Sequence, residues 1–312
     1  MTMNQAWKKH GIEIKPGTAI KGKWHNHRYV VTKKLGNGAV GTVYLCDWNG
    51  QKVALKISEN SSSMTTEVNV LKSLKKVQGN PLGPCLLDVD DWVVSASLRY
   101  SFYVMEYLHG QNLISFIRQH GDEWLGVFML QLLDDLEKLH QSGWVFGDFK
   151  PENLIVLSSP PKVRWIDVGG TTQIGRAVKE YTEFFDRGYW GLGSRRAEPS
   201  YDLFAFVMVV LNIYYPRRFE RGSNPRTTLF RQLDDVKPLR IYRDCLKRAL
   251  LGKYQSSKEM KKELAGILQA VTQKKRSQKR TANSIPKGTP YVEAGGISLI
   301  ALLYYISSLL IQ

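Results

Sequence analysis

Cysteine is scarce in this 312-residue chain, with Cys46, Cys85 and Cys245 making up the whole set. Their separations match no metal-ligand spacing, and an odd number cannot all pair within one chain. They read as reduced packing residues of a cytosolic protein rather than a disulfide framework. An N-terminal apolar run is missing too: Met1 to His27 is polar, with Trp7 and Trp24 scattered among Lys and His, so no signal segment is expected. Internal repeats are absent. Acidic residues are the minority charge, with 28 Asp and Glu against 44 Lys and Arg, for a formal net charge of +16. The length suffices for one unit with a sizeable core plus appendages.

What is present centres on Asp148-Phe149-Lys150-Pro151-Glu152-Asn153, followed by a second acid in Trp165-Ile166-Asp167-Val168-Gly169. These are the parts of a phosphoryl-transfer site. A carboxylate (Asp148) orients an attacking hydroxyl, a cation (Lys150) meets charge on the transferred group, and an amide (Asn153) with the downstream Asp167 holds Mg²⁺. On its own the spacing D-x-x-x-x-N is also a common loop spelling.

Upstream, Leu35-Gly36-Asn37-Gly38-Ala39-Val40-Gly41-Thr42-Val43-Tyr44 spells G-x-G-x-x-G-x-V between β-branched and aromatic residues. Glycine permits a tight turn and a close approach of backbone N–H groups to phosphate oxygens. A dinucleotide-binding unit would open a helix after its glycines. Here a strand from Thr42 to Leu45 follows, then a turn at Trp48-Asn49-Gly50-Gln51 and another strand, Lys52 to Ile57, which rejects that reading. The second strand carries Val53-Ala54-Leu55-Lys56, placing one Lys among apolar neighbours beneath the glycine loop. A buried ammonium needs a counter-charge. Glu67 is the candidate, on a helix whose apolar positions 64, 68, 71 and 74 share one face, with Glu59 as the competing acid.

In this order the residues resemble a Hanks-type (eukaryotic-like) bacterial serine/threonine protein kinase over roughly residues 28 to 270. The resemblance implies an α+β, bilobal protein-kinase fold, with a small β-rich N-lobe holding ATP and a larger α-helical C-lobe carrying the catalytic loop. It implies ATP and Mg²⁺ as cofactors, with Mn²⁺ as an alternative ion, and protein substrates. It makes Gly36, Asn37, Gly38, Gly41, Val43, Ala54, Lys56 and Glu67 nucleotide-site residues. It also makes Phe102 to Leu108 the inter-lobe hinge, with Met105 as gatekeeper and the backbone of Glu106 to Leu108 meeting adenine. Met105 is otherwise a core methionine.

The chain departs from the family pattern in places that bear on regulation. Val145-Phe146-Gly147 stands where His-Arg usually precedes the catalytic Asp, so Phe146 replaces a packing imidazole and no Arg can clamp a phosphorylated activation segment. Activity is therefore expected not to require phosphate at Thr171, Thr172 or Thr182. Val168 replaces the Phe of D-F-G. Arg195-Arg196-Ala197-Glu198-Pro199 stands for A-P-E, and the residue expected to pair with Glu198 is Lys253, a looser partner than Arg. Asp202 is expected to open a buried helix and brace the catalytic loop. Gly147 also raises a rival, the aminoglycoside- and choline-type small-molecule kinases with H-G-D-x-x-x-x-N. Against it stand Lys150-Pro151-Glu152, the full glycine loop and the long segment from Asp167 to Glu198. Lys150 also favours Ser or Thr over Tyr as acceptor. A third class, a pseudokinase binding module, is suggested only by the missing His-Arg.

At the C-terminal end, Ser256-Ser257-Lys258-Glu259 has capping-box spacing before a stripe of Met260, Leu264, Ile267, Leu268 and Val271. A basic run follows, with Lys274, Lys275, Arg276, Lys279 and Arg280, and then a Pro/Gly linker. After Glu293 no charge remains, and 294–312 is about long enough to cross a bilayer, which takes roughly 20 residues. A buried terminal helix is the alternative. The basic flank puts the kinase on the cytoplasmic side of a cell-membrane anchor that ends near the far face. The expected organisation is an N-terminal extension (1–27), a kinase domain (28–271), a basic juxtamembrane linker (272–293) and a transmembrane helix (294–312). The basic run is expected to bind anionic lipid or, as a second role, DNA without sequence preference, since no aromatics interleave its charges. Membrane confinement also favours self-association for trans-autophosphorylation.

Overall fold

The glycine-rich segment joins two strands of a sheet whose order is β1-β2-β3-β4-β6-β5. The computed structural model describes residues 12–38, 41–75 and 82–283, with the side chains of 275 and 278–283 outside that description. Along the described residues run β1 (Ala19–Lys21), β2 (Arg28–Asn37), β3 (Thr42–Trp48), β4 (Gln51–Ser58), α1 (Ser61–Lys75), β5 (Leu86–Ser95) and β6 (Leu98–Glu106). After these come β7 (Gln111–Asn112), α2 (Leu113–His120), α3 (Glu123–Gln141), β8 (Trp144–Val145), β9 (Leu154–Ser158), β10 (Pro161–Trp165) and β11 (Thr172–Gln173). The chain continues with α4 (Pro199–Tyr214), α5 (Pro225–Asp235), α6 (Arg243–Leu250) and α7 (Ser257–Asn283). A β-rich N-terminal region thus precedes a helical C-terminal region, as the resemblance implied.

Alternation along the strands gives the sheet two different faces. Val53, Leu55, Ile57, Phe102 and Val104 bury an outer face together with Tyr29 and Tyr44. Ala54, Tyr103 and Met105 point the other way, toward α1 and the helical lobe. The β3–β4 turn has Asn49 and Gly50 at φ of 53° and 82°, the positive values that match strand twist in a two-residue hairpin.

The N-terminal extension does not stand apart from the domain. Ile20 of β1 is fully buried, Ile12 and Ile14 pack on the outer face, and the Tyr44 hydroxyl accepts from the Ile14 N–H at 3.0 Å. Residues 12–27 finish covering a sheet face that would otherwise be wet.

In the helical lobe α4 is buried nearly all round, and α3 packs along α7. The predicted cap at Ser256 is present: its Oγ accepts the Glu259 N–H at 3.2 Å, while the Glu259 carboxylate accepts from Gln255 N at 2.9 Å. Beyond it α7 does not end at 271 but continues through the basic run to Asn283. Lys, Arg, Gln and Ser contain no helix breaker, and the next proline is Pro286. No break in the helix therefore marks the start of the predicted linker. Among the described residues no helix is long and apolar enough to cross a membrane, and the predicted span at 294–312 lies outside them.

Buried Met260, Leu264 and Leu268 of α7 join the core, and polar contacts tie the helix to α3. Asp134 accepts from both Lys261 and Lys138, and the Glu137 carboxylate accepts from Lys258 N at 2.8 Å. Burial alone would raise the Asp134 pKa, but the two ammonium groups outweigh it and hold the carboxyl below the ordinary aspartate value. Its contribution to stability is thus full above the unfolded pKa, about 3.9, and is lost as pH falls through the lower folded value. Asp134→Asn is expected to cost about 0.5–1 kcal/mol at neutral pH. Urea unfolding across a pH series should show that difference shrinking below about pH 4.

Candidate active site

Between the sheet and the helical lobe lies a cleft of about 870 Å³. Its roof is the β2–β3 hairpin, closed by a hydrogen bond from Gly38 N to the Gly41 carbonyl at 2.8 Å. A Cβ on Gly41 would stand 2.3 Å from the Ile57 carbonyl oxygen, so only glycine lets β3 lie this close to β4. Gly36, Asn37, Gly38, Val43 and Ala54 line the cleft. Met105, Glu106 and Leu108 line its hinge side. The backbone N–H of Glu106 is already committed to the Cys85 carbonyl at 2.9 Å, and its carboxylate accepts from Cys85 N and Arg164 at 3.2 Å.

Strand register sends Lys56 into the cleft side of the sheet, where its ammonium lies 2.7 Å from the Glu67 carboxylate and 3.5 Å from Asp167. Glu67 is buried on α1, while Glu59, nearer in sequence, is exposed. Burial alone would lower the Lys56 pKa, but Asp167 and Glu67 outweigh it and hold it above the ordinary lysine value. Tyr103, opposite Lys56 in the sheet, donates its hydroxyl to Glu67 at 2.8 Å. Sequence reasoning missed Tyr103 as a site residue. The signal was its place on the cleft face two positions before Met105, since a buried phenol must find an acceptor.

The catalytic loop is hung from the helical lobe. Asp202, fully buried at the start of α4, accepts from the backbone N–H of Phe146 at 2.7 Å and of Gly147 at 3.0 Å. It also takes His140 Nε2 at 2.9 Å, and His140 Nδ1 lies 3.1 Å from the Ser257 hydroxyl. Phe146 packs edge-on to Trp165 and Phe149, with centroids 4.8 and 5.4 Å away. The loop then presents Asp148 and Lys150 to the cleft in direct contact with each other. Asn153 Nδ2 donates to the Asp148 carbonyl at 2.9 Å, which directs its Oδ1 elsewhere. Asp167, on the turn after β10, accepts the Gly169 N–H through Oδ1 at 2.9 Å.

One expectation about the following segment changes. Glu198 pairs not with Lys253 but with Arg187, at 2.6 Å, and Arg187 also donates to Ser200 Oγ and the Ser194 carbonyl. Lys253 is exposed, and Arg248 beside it turns to Glu263. The closing Arg thus comes from within the segment itself. Thr182, where no phosphate was expected to be needed, donates its hydroxyl to Asp148 Oδ1 at 3.0 Å and accepts from Lys150 at 3.3 Å. Thr171 is buried.

The predicted basic residues do not join this site: Lys274, Lys275, Arg276, Lys279 and Arg280 lie far along α7, with Lys274 and Arg276 exposed.

Comparison with known proteins agrees with this geometry. The family model described as protein kinase domain matches residues 29–291. The chain is 48% identical over 274 residues to the serine/threonine-protein kinase YabT of Bacillus subtilis, covering 88% of this chain and 81% of that protein. It is 31% identical over 229 residues to the sporulation protein kinase mde3 of Schizosaccharomyces pombe, covering 65% of this chain and 40% of that protein. With the serine/threonine-protein kinase pim-2 of Danio rerio it shares 32% identity over 189 residues, 53% of this chain and 59% of that protein.

Gly147 sits at φ +77°, and a Cβ there would lie 2.4 Å from the Gly170 carbonyl oxygen. Restoring the family's usual Arg by Gly147→Arg is therefore expected to lower activity rather than add control. The left-handed backbone alone costs about 1–2 kcal/mol, and the clash displaces the turn bearing Asp167. Steady-state phosphorylation rates and thermal midpoints of the Gly147→Ala and Gly147→Arg variants, both lower than the parent, check this.

Proposed function

Because the chain belongs to the protein kinase family and is a serine/threonine kinase, we propose that this cleft binds ATP with Mg²⁺ and that Asp148 receives the proton of the acceptor hydroxyl. The observation that carries the reading is the convergence of Lys56, of Asp148 and Asn153 from one loop, and of Asp167 on one cleft, three segments in all. The donors suit the ion: the Asn153 amide leaves Oδ1 free of its bond to Asp148, and Asp167 offers Oδ2. Such hard oxygens are what Mg²⁺ or Mn²⁺ takes. When bound, the ion neutralises charge on phosphate oxygens.

The chain's own groups then divide the work. Lys56, held by Glu67, meets the α- and β-phosphates, and the backbone of Gly36, Gly38 and Gly41 covers them. Leu35, Val43, Ala54 and Ile155 supply apolar lining for the adenine, with Met105 and the hinge backbone at its edge. Lys150 offsets charge on the group in transfer. The Thr182 hydroxyl, bonded to both Asp148 and Lys150, keeps that pair aligned, and a phosphate there would set negative charge against Asp148. Glu198 and Arg187 hold the segment without a phosphate. The small-molecule-kinase alternative loses to the protein kinase match, and the pseudokinase alternative lacks a missing catalytic group to support it.

Asp148→Asn is expected to cut radiolabelled phosphate transfer to protein by roughly 10²–10⁴-fold while nucleotide binding persists. Thr182→Ser should retain most of the rate and Thr182→Ala should not. Absence of any transfer by the parent in Mg²⁺-ATP would favour a binding module instead.

We further infer that residues 294–312 anchor the kinase in the cell membrane, facing the cytoplasm, because the Lys and Arg of 274–280 precede an uncharged stretch. Lys274 and Arg276 of this run are exposed on α7. Anionic lipid is the first candidate partner of the run, at about 1 kcal/mol per basic residue near the surface. DNA bound through its phosphates is the second. Confinement to two dimensions favours self-association and trans-autophosphorylation. Activity of the full chain is expected to rise with anionic vesicles or with duplex DNA at low salt. If all five charges engage DNA, log affinity against log salt has a slope of about −4.5. Identical activity with anionic, neutral and no polyanion sinks the regulatory reading.

A further inference from the structure

On the sheet face turned away from the cleft, the segment between β1 and β2 lies over β5 and brings together side chains that the kinase chemistry does not use. Asp88 of β5 is buried, and its register partner is Val104, the neighbour of Met105. Its Oδ1 lies 2.7 Å from His25 Nδ1 and its Oδ2 lies 2.9 Å from His27 Nδ1. The ligand atoms of these three residues all fall within 4.8 Å of one another.

The frame around them is tied down. Asp90 accepts from Trp24 N at 2.9 Å and from His25 N at 2.8 Å, while Lys23 N donates to the Asp91 carbonyl at 2.9 Å. Gly22 N donates to the His27 carbonyl at 2.9 Å, closing the loop across Asn26. Tyr29 donates its hydroxyl to Asp88 Oδ2 at 2.5 Å. The two imidazoles are thus presented by a fixed backbone.

We propose that His25, His27 and Asp88 form a binding site for a divalent transition-metal ion, with Zn²⁺ the ion that fits. Two imidazole nitrogens and one carboxylate oxygen are common Zn²⁺ donors, and a fourth tetrahedral position remains for water. An ionised Asp88 can only accept, so each of these two bonds calls for an Nδ1–H on the ring. On coordination each neutral ring carries its proton on Nε2 instead, so the ion is held with no net proton release. Tyr29 orients the ligating carboxylate from behind, the role outer hydrogen-bond partners play at metal sites. The fully buried Asp90 side chain, its Oδ2 3.8 Å from His25 Nδ1, adds negative charge against the cation. The rings, 53% and 43% exposed, give the ion a path in. Once bound, it ties the N-terminal segment to β5, the edge strand paired with the strand that leads to the hinge.

Zn²⁺ alone titrated into the full chain by calorimetry, compared with the His25→Ala/His27→Ala double variant, tests this. The parent is expected to bind one more Zn²⁺ per chain than the double variant, and to gain a rise in thermal midpoint with Zn²⁺ that the variant lacks. Tyr29→Phe should weaken that site by about 10–100-fold. Both histidines are surface side chains outside the catalytic machinery, so the double variant's phosphorylation rate in Mg²⁺-ATP should match the parent's and report an intact fold. Equal Zn²⁺ stoichiometry and equal thermal shifts in the two proteins would overturn the proposal.

Discussion

Lys56 carries a charge into a place where its side chain is only 3% exposed, and carboxylates from two other parts of the chain meet it there. Glu67 brings α1 against the sheet, and Asp167 brings the turn after β10 from the helical lobe. A buried ammonium without such partners would be costly, so the pairing constrains the relative placement of β4, α1 and the turn after β10 at once. Tyr103 extends the constraint by donating to the second Glu67 oxygen from β6. Four segments distant in sequence are thereby held around one charge, and the cleft takes its shape from that requirement.

A second buried acid performs the same service for the other half of the site. Asp202 accepts two consecutive backbone N–H groups and a histidine, so the loop carrying Asp148 is fixed from beneath rather than by its own contacts. His140 passes the connection on to Ser257 at the start of α7, linking the helix that bears the basic run to the frame of the catalytic loop. Phe146 fills the core between Trp165 and Phe149 by packing alone. With Gly147 closed against the Gly170 carbonyl, and with Arg187 already engaging Glu198, the activation segment is held by groups the chain supplies itself.

The parts of the fold legible in the sequence are those in which local chemistry dictates local shape. Glycines at 36, 38 and 41 between β-branched residues, an Asn-Gly turn at 49–50, a lysine in an apolar strand and a capping box at 256 each name an element without knowledge of anything distant. The acid opposite Lys56 was legible because the helix period puts Glu67 on the same face as Met64, Val68 and Leu71. What escaped were contacts between segments that share no local pattern. Arg187 is an ordinary basic residue until the segment folds back and sets it beside Glu198. Thr182 resembles any exposed hydroxyl until it meets Asp148. The boundary drawn at 271 followed composition, and α7 runs past it because a change from apolar stripe to basic run alters what the helix packs against, not whether a helix can form.

By itself the sequence determined the inventory: which strands and helices form, which side chains can handle phosphate, metal and a hydroxyl proton, and which ends carry positive or no charge. Propensity, periodicity and residue chemistry act over a few neighbours, so they are written in the order of the residues. Tertiary structure alone decided the partners, because desolvation compels buried polar groups to find whatever the fold brings within reach. Tyr103 on Glu67, Arg187 on Glu198, Thr182 on Asp148, and two histidines on Asp88 all join residues whose proximity no sequence spacing encodes.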